Sequence, residues 1–156
     1  FTKGIILNRP TDLMLEDDIN EGKKWRVWFG GDVEGLNARH PDITCIHSLK
    51  NEMATKASIP IMKDMQWTTF HNAKKLVKAG VADVRDFWVF VGYAGWAPGQ
   101  LAGELKRNSW YMVATDSQTL LKELARNGEG ADPRDAGLDT WTLLMNMIGR
   151  KGTAQK

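Results

Sequence analysis

The chain holds 156 residues, 42% of them apolar and 26% charged, with a net charge of +2; this is enough chain to bury about 70% of its unfolded surface as one domain, and too apolar for a disordered one. Basic and acidic residues balance in both halves, 12 against 10 over residues 1–78 and 9 against 9 over 79–156, so neither half carries the dense cationic stripe of a nucleic-acid binder. A single cysteine, Cys45, rules out an intrachain disulfide and a cysteine-based zinc cage, and no apolar run approaches the ~20 residues that span a bilayer.

The chain begins at Phe1, which reads as a processed or fragmentary start from which any targeting peptide would already be gone. Gly4–Leu7 is the first strand-like run, and Thr11 is placed to cap a short helix through Leu13, Glu16 and Asp17. Trp25–Phe29 starts with alternation, which predicts a strand with one wet face; Ile43–His47 and the less marked Ile59–Met62 follow. Phe70, Ala73, Leu76 and Val77 recur at helical spacing before Gly80, a natural C-terminal stop. Phe87–Val91 is apolar throughout, which predicts a central strand covered on both faces.

Next comes Gly92-Tyr93-Ala94-Gly95-Trp96-Ala97-Pro98-Gly99-Gln100-Leu101, a strand-to-helix turn whose helix ends near Asn108. Trp110–Ala114 reads as a strand. Asp116 caps a helix bearing Leu120, Leu121 and Leu124 and closed by Asn127-Gly128. Arg126–Gly137 reads as a surface loop, Asp139 as the cap of a last helix with Trp141, Leu144, Met145 and Ile148 on one face, and Arg150–Lys156 as a polar tail. The spacing lacks the regular βαβ repeat of a doubly wound sheet. The prediction is one α+β domain over residues 1–149, with a mixed sheet and four to five helices.

Glycines after a strand can bring backbone N–H groups to a phosphate or oxyanion. Neither the dinucleotide fingerprint nor a P-loop is present, however, and Gly92 and Gly95 read first as positions of positive φ or close packing beside Tyr93 and Trp96. Gly30-Gly31-Asp32 reads as a tight turn, since an acidic residue at its mouth disfavours phosphate. His40, His47 and His71 lie far apart, without metal-ligand spacing, so no metal or cofactor is expected. His47 and Cys45 point to opposite faces of one strand, which argues against a dyad; His47 with a distant carboxylate such as Asp32 stays open. No serine sits in a nucleophile elbow. Of the seven tryptophans, Trp88, Trp96, Trp110 and Trp141 are expected in the core. Trp25 and Trp28, flanked by Lys23, Lys24 and Arg26, are expected on a partner surface.

The blocks Gly4-Ile5-Ile6-Leu7-Asn8-Arg9-Pro10-Thr11, Val27-Trp28-Phe29-Gly30-Gly31, His47 closing a strand, Gly92 through Leu101, Glu104-Leu105 and Asn108-Ser109-Trp110 resemble the YqgE/AlgH family, in its order, from Gly4 to about Gly149. The resemblance implies an α+β domain whose branched sheet curls into a partial barrel. It implies a strand-bearing segment ahead of Gly4 in other members, so that its absence here leaves an edge open. Asp32 stands where proline is usual. The insert around Leu49–Thr55 and the ending Gly137-Leu138-Asp139-Thr140-Trp141 are more similar to plant and algal members, which implies a chloroplast protein.

The family has no established catalytic activity, and its bacterial members are described as transcriptional regulators on genetic grounds. The resemblance and the missing chemistry together lead to the expectation of a non-enzymatic interaction or regulatory domain, an accessory subunit of a plastid assembly with a protein partner. Peripheral association with a membrane complex would fit that role. The alternative is a small-molecule or anion-binding domain with Asn8, Arg9, Gly30, Gly31, His47, Gly92, Tyr93, Gly95, Trp96 and Gln100 around the site, Arg9 supplying a guanidinium fork. A hydrolase using His47, and a regulator acting on DNA without a helix-turn-helix, complete the set.

Overall fold

The computed structural model describes residues 1–127 and 136–149. Eight strands, β1 (Thr2–Gly4), β2 (Pro10–Glu16), β3 (Lys24–Phe29), β4 (Ile43–His47), β5 (Ile59–Met62), β6 (Met65–Thr69), β7 (Trp88–Val91) and β8 (Ala94–Trp96), are joined by five helices, α1 (Glu52–Lys56), α2 (Phe70–Lys78), α3 (Gln100–Lys106), α4 (Ser117–Asn127) and α5 (Ala136–Met147). Six strands form a mixed sheet in the order β2-β3-β7-β4-β6-β5, while β1 and β8 pair as a separate antiparallel ribbon. The sheet is open, with β2 and β5 as its edges, and does not close into a barrel. The expected mixed α+β class is therefore observed. Of the loop expected over Arg126–Gly137, residues 126–127 belong to α4 and 136–137 to α5, while residues 128–135, like the tail expected over 150–156, lie outside the described residues.

The apolar run Phe87–Val91 becomes β7 at the centre of the sheet, parallel to β3 and antiparallel to β4. Its side chains divide between two cores. Val89 and Val91 join Trp25, Val27, Cys45, Leu76 and Phe87 beneath α1 and α2. Phe90 joins Trp28, Ile46, Met65 and Leu124 beneath α4 and the segment carrying Ile5 and Leu7. Period-2 alternation thus feeds both faces from one strand.

Several elements differ from the sequence reading. Pro10–Glu16 is a strand and not a Thr11-capped helix: Thr11 Oγ1 donates to the Val27 carbonyl at 2.6 Å, and Leu15 and Glu16 pair with Trp25 and Lys24. Ladder bonds to β3 override the helical propensity of Leu13-Met14-Leu15-Glu16. Residues 5–7 carry no strand, although Ile6 N–H donates to the Gly30 carbonyl at 2.9 Å. Trp110–Ala114 finds no ladder partner among the described residues. Asp139 lies inside α5, which starts at Ala136, instead of capping it. Helix α1 and strands β2, β6 and β8 were not expected at all.

Candidate functional site

Four tryptophans differ from the sequence reading, with Trp25 and Trp28 buried and Trp110 and Trp141 exposed, while Trp88 packs on a core as expected and Trp96 is half-buried. Trp25 and Trp28 are 1% and 4% exposed, so neither ring is available to a partner. Alternation along β3 turns Trp25 into one core and leaves Lys24 in solvent, while Trp28 enters the other core. Trp25 stacks edge-on to Phe70 at 5.3 Å and donates its indole N–H to Asp17 at 3.0 Å. Arg26 lies over the Trp28 ring and donates to the Thr11 carbonyl at 2.9 Å, and Lys23 and Lys24 remain an exposed basic edge. Basic neighbours in sequence are what made these two rings look like surface.

The two glycine turns do meet, and they close on each other. A Cβ on Gly92, which holds φ +81°, would lie 2.1 Å from the Gly31 carbonyl oxygen; one on Gly31 would lie 2.1 Å from the Tyr93 carbonyl carbon; one on Gly30 would lie 2.3 Å from the Gly92 oxygen. The amides are committed as well: Gly30 N–H donates to Val91, Gly92 N–H to Asp42, and Tyr93 and Val33 bond each other, all at 2.8–3.0 Å. The Gly30, Gly92 and Tyr93 donors, expected to face an anion, are spent inside a backbone crossing. Arg9 is likewise engaged, its guanidinium stacked over Phe29 at 4.5 Å.

His47 lies apart from these turns, edge-on to Phe87 and fully buried. Its Nδ1 accepts from Leu49 N–H at 3.1 Å, its Nε2 meets Ser58 Oγ at 2.7 Å, and Ser58 Oγ donates to the Ala54 carbonyl at 2.6 Å. Because Nδ1 accepts and the serine proton is spent on a carbonyl, Nε2 carries the ring proton. That is the reverse of the arrangement in which histidine takes a proton from serine. Burial holds the histidine pKa below its ordinary value, against the pull of Asp86.

What the Gly92–Leu101 turn builds instead is a clamp. Gly99, at φ +80°, opens α3, and Gln100 Oε1 accepts from Ala97 N–H at 3.0 Å while its amide reaches Glu104 at 3.3 Å. Glu104 Oε2 accepts the indole N–H groups of Trp96 at 3.1 Å and Trp110 at 2.7 Å, and the two rings stand edge-to-face at 5.9 Å. The bond from Trp110, then that from Trp96, holds the Glu104 carboxyl below the usual glutamate range. Gly95 sits in β8 against the Phe1 ring.

Trp110 is therefore fixed while half of it stays in solvent, at 49% exposed; Tyr111 and Met112 beside it reach 52% and 71%. Across a groove of ≈ 350 Å³ Trp110, Tyr111 and Val113 face Trp141, Leu144, Met145 and Ile148 of α5 and the residues after it. A smaller hollow of ≈ 150 Å³ lies on the other side of Trp141 and Leu144, against Leu7, Asn8, Leu120 and Glu123. Helix α5 is apolar outside Thr140 and the Asp139-Thr142-Asn146 stripe, and Leu138, Trp141, Leu143 and Met147 on it are exposed; so wide an apolar face is ordinarily covered. Two ties seat it. Asn8 Nδ2 donates to the Gly137 carbonyl at 2.8 Å, and Thr140 Oγ1 donates to Glu123 at 2.8 Å, beside Arg126, which pairs with both Glu123 and Asp139. Asn8, expected to touch a ligand, positions the helix. The aromatic face itself was hidden in the sequence, because Trp110 and Trp141 have apolar neighbours and read as core.

No group of three or more histidines, cysteines, aspartates or glutamates among the described residues could hold a metal ion. No helix among them is long and apolar enough to cross a membrane.

These features define an α+β scaffold with a sealed glycine crossing and an apolar face held out to solvent. The AlgH-like family model, DUF179, matches residues 1–142, and the chain belongs to that family. Similar proteins include a UPF0301 protein of Thiobacillus denitrificans, 32% identical over 128 residues that make up 75% of this chain and 63% of that protein. UPF0301 proteins of Burkholderia lata and Burkholderia cenocepacia are each 30% identical over 122 residues, 72% of this chain and 60% of theirs. The chain thus spans about 60% of the length of the curated relatives it matches. Their names state no activity.

Proposed function

We propose that this chain is a non-enzymatic protein-interaction domain, an accessory or regulatory subunit whose contact face is Trp110–Met112 together with α5. The observation that carries the reading is the Glu104 clamp: an exposed indole held by a hydrogen bond and an edge-on ring is a pre-ordered anchor that loses little freedom on binding. Aromatic residues of this kind dominate interface energetics, and a contiguous apolar patch of this kind, at the upper end of what monomers expose, commonly marks an interaction site. Regulation of transcription, on this reading, runs through a protein contact and not through a DNA-reading element. We place the assembly in a plastid on the plant- and algal-like residues 49–55 and 137–141; the relatives named above are bacterial.

Native isolation of the wild-type chain and of a Trp110→Ala variant, followed by mass spectrometry, tests the reading. A stoichiometric companion that the variant loses is the expected result; the same companions for both variants would refute it. A second reading, an apolar small molecule, is favoured by the ≈ 350 Å³ groove with three aromatic walls, at the small end of ligand sites. A thermal-shift screen that stabilises wild type but not the Trp141→Ala variant would support it.

A further inference from the structure

Resting on the interaction reading, we infer that the first occupant of this face is a second copy of the same chain, docked about a two-fold axis. The exposed parts of Trp110, Tyr111, Met112, Leu138 and Trp141, taken from their fractional exposures and residue areas, come to about 600 Å². A standard interface buries about 800 Å² per partner, of which somewhat over half is apolar, so this patch suffices for the apolar core of one.

Shape points to self-pairing. A two-fold contact requires one surface to carry both projection and recess, because residue i of one copy meets residue j of the other and j meets i. This face has both, side by side. Met112 is 71% exposed, while its neighbours Tyr111 and Val113 line the adjacent groove. Methionine is unbranched and adapts to irregular gaps. One Met112 lies in the groove of the second copy against Trp141, and the second copy's Met112 fills the equivalent groove of the first. Both grooves close and both Trp110 rings lose solvent. The Glu104 clamp and the Asn8 and Thr140 ties to α5 hold the walls in place beforehand.

Sedimentation equilibrium of the 156-residue chain, from 1 to a few hundred micromolar, tests this directly. The expected result is a monomer–dimer equilibrium whose dissociation constant rises at least about tenfold in Met112→Glu, with an unchanged circular dichroism melt at concentrations where both chains are monomeric, since Met112 is 71% exposed. Isotope-filtered nuclear Overhauser spectra of a mixed-label dimer would show the Met112 methyl of one copy against the Trp141 indole of the other. A chain monomeric throughout overturns the inference, as does a dimer indifferent to Met112→Glu. Either failure is separable from failure of the interaction reading: a companion protein lost from the Trp110→Ala isolate would leave that reading standing without self-pairing.

Discussion

Gly92 and Gly99 offer a matched pair for asking what the glycine-rich turn is for. Their φ values are +81° and +80°, so alanine at either meets the same backbone strain, about 1–2 kcal/mol. Their surroundings differ completely. A Cβ at Gly99 meets nothing within 4 Å, whereas one at Gly92 falls 2.1 Å from the Gly31 oxygen and 2.8 Å from the Gly35 Cα. Both obstacles are backbone, so the crossing itself must part by about 1.3 Å to reach ordinary contact distance. That opens the Tyr93–Val33 pair of hydrogen bonds, each 3.0 Å and each contributing about 1 kcal/mol. Gly92→Ala is therefore expected to cost about 3–4 kcal/mol and Gly99→Ala about 1–2. For a chain of this size those figures lower Tm by roughly 6–16 °C and 2–8 °C. Urea denaturation followed by circular dichroism measures both. Equal losses at the two positions would refute the close-packing role and return the turn to some other use.

Three further outcomes follow from the polar groups. Asp17 accepts from Ile19, Asn20 and Trp25, and although burial alone pushes its carboxyl up, those bonds outweigh it and hold the pKa at about 2. Relative to 3.8 unfolded, the difference contributes about 2 kcal/mol, complete above pH ~4 and lost as pH falls through ~2. Asp17→Asn is expected to remove that amount at neutral pH and flatten the acid limb of a Tm-against-pH curve; parallel curves would contradict it. Glu104, depressed by its two indole donors, keeps its clamp as pH falls through the usual glutamate range and releases it only below. The Trp96 and Trp110 indole N–H resonances should move together there, and in Glu104→Gln at neutral pH; a midpoint at or above the ordinary glutamate value would sink the clamp. His47 is buried neutral with a lowered pKa, so its contribution is full above the ordinary histidine value and declines as pH falls through it. Ser58→Ala leaves the Nε2 proton without its acceptor and is expected to cost about 1–3 kcal/mol, read by urea denaturation; no loss would mean another acceptor takes the proton.

Elements with strong internal periodicity were legible in the sequence. The run Phe87–Val91 lacked alternation because both its faces are buried, and the apolar spacing of Phe70, Ala73, Leu76 and Val77 matched α2. Elements defined by distant partners were not. Pro10–Glu16 has a helical composition and becomes a strand only because β3 supplies its ladder. Trp110–Ala114 has strand composition and stays outside every ladder among the described residues, with Trp110 at its start held through its indole by Glu104. The glycine motifs were visible as close packing, but that Gly30-Gly31 and Gly92 pack on one another needed coordinates. The candidate face was read inside out for one physical reason. Sequence neighbours report on all faces of an element together, so Trp25 beside lysines looked exposed and Trp141, sharing a helical face with Leu144 and Met145, looked buried.

Photo-crosslinking tests the interaction face most directly. A benzophenone amino acid placed at Met112, with Glu21 in the opposite hairpin as control, would be irradiated in intact cells, and the products identified by mass. A single defined adduct at position 112, absent at position 21, is the result expected of a contact face built from Trp110–Met112 and α5. Position 112 giving no adduct, or the same diffuse adducts as position 21, would show that this aromatic face meets only water.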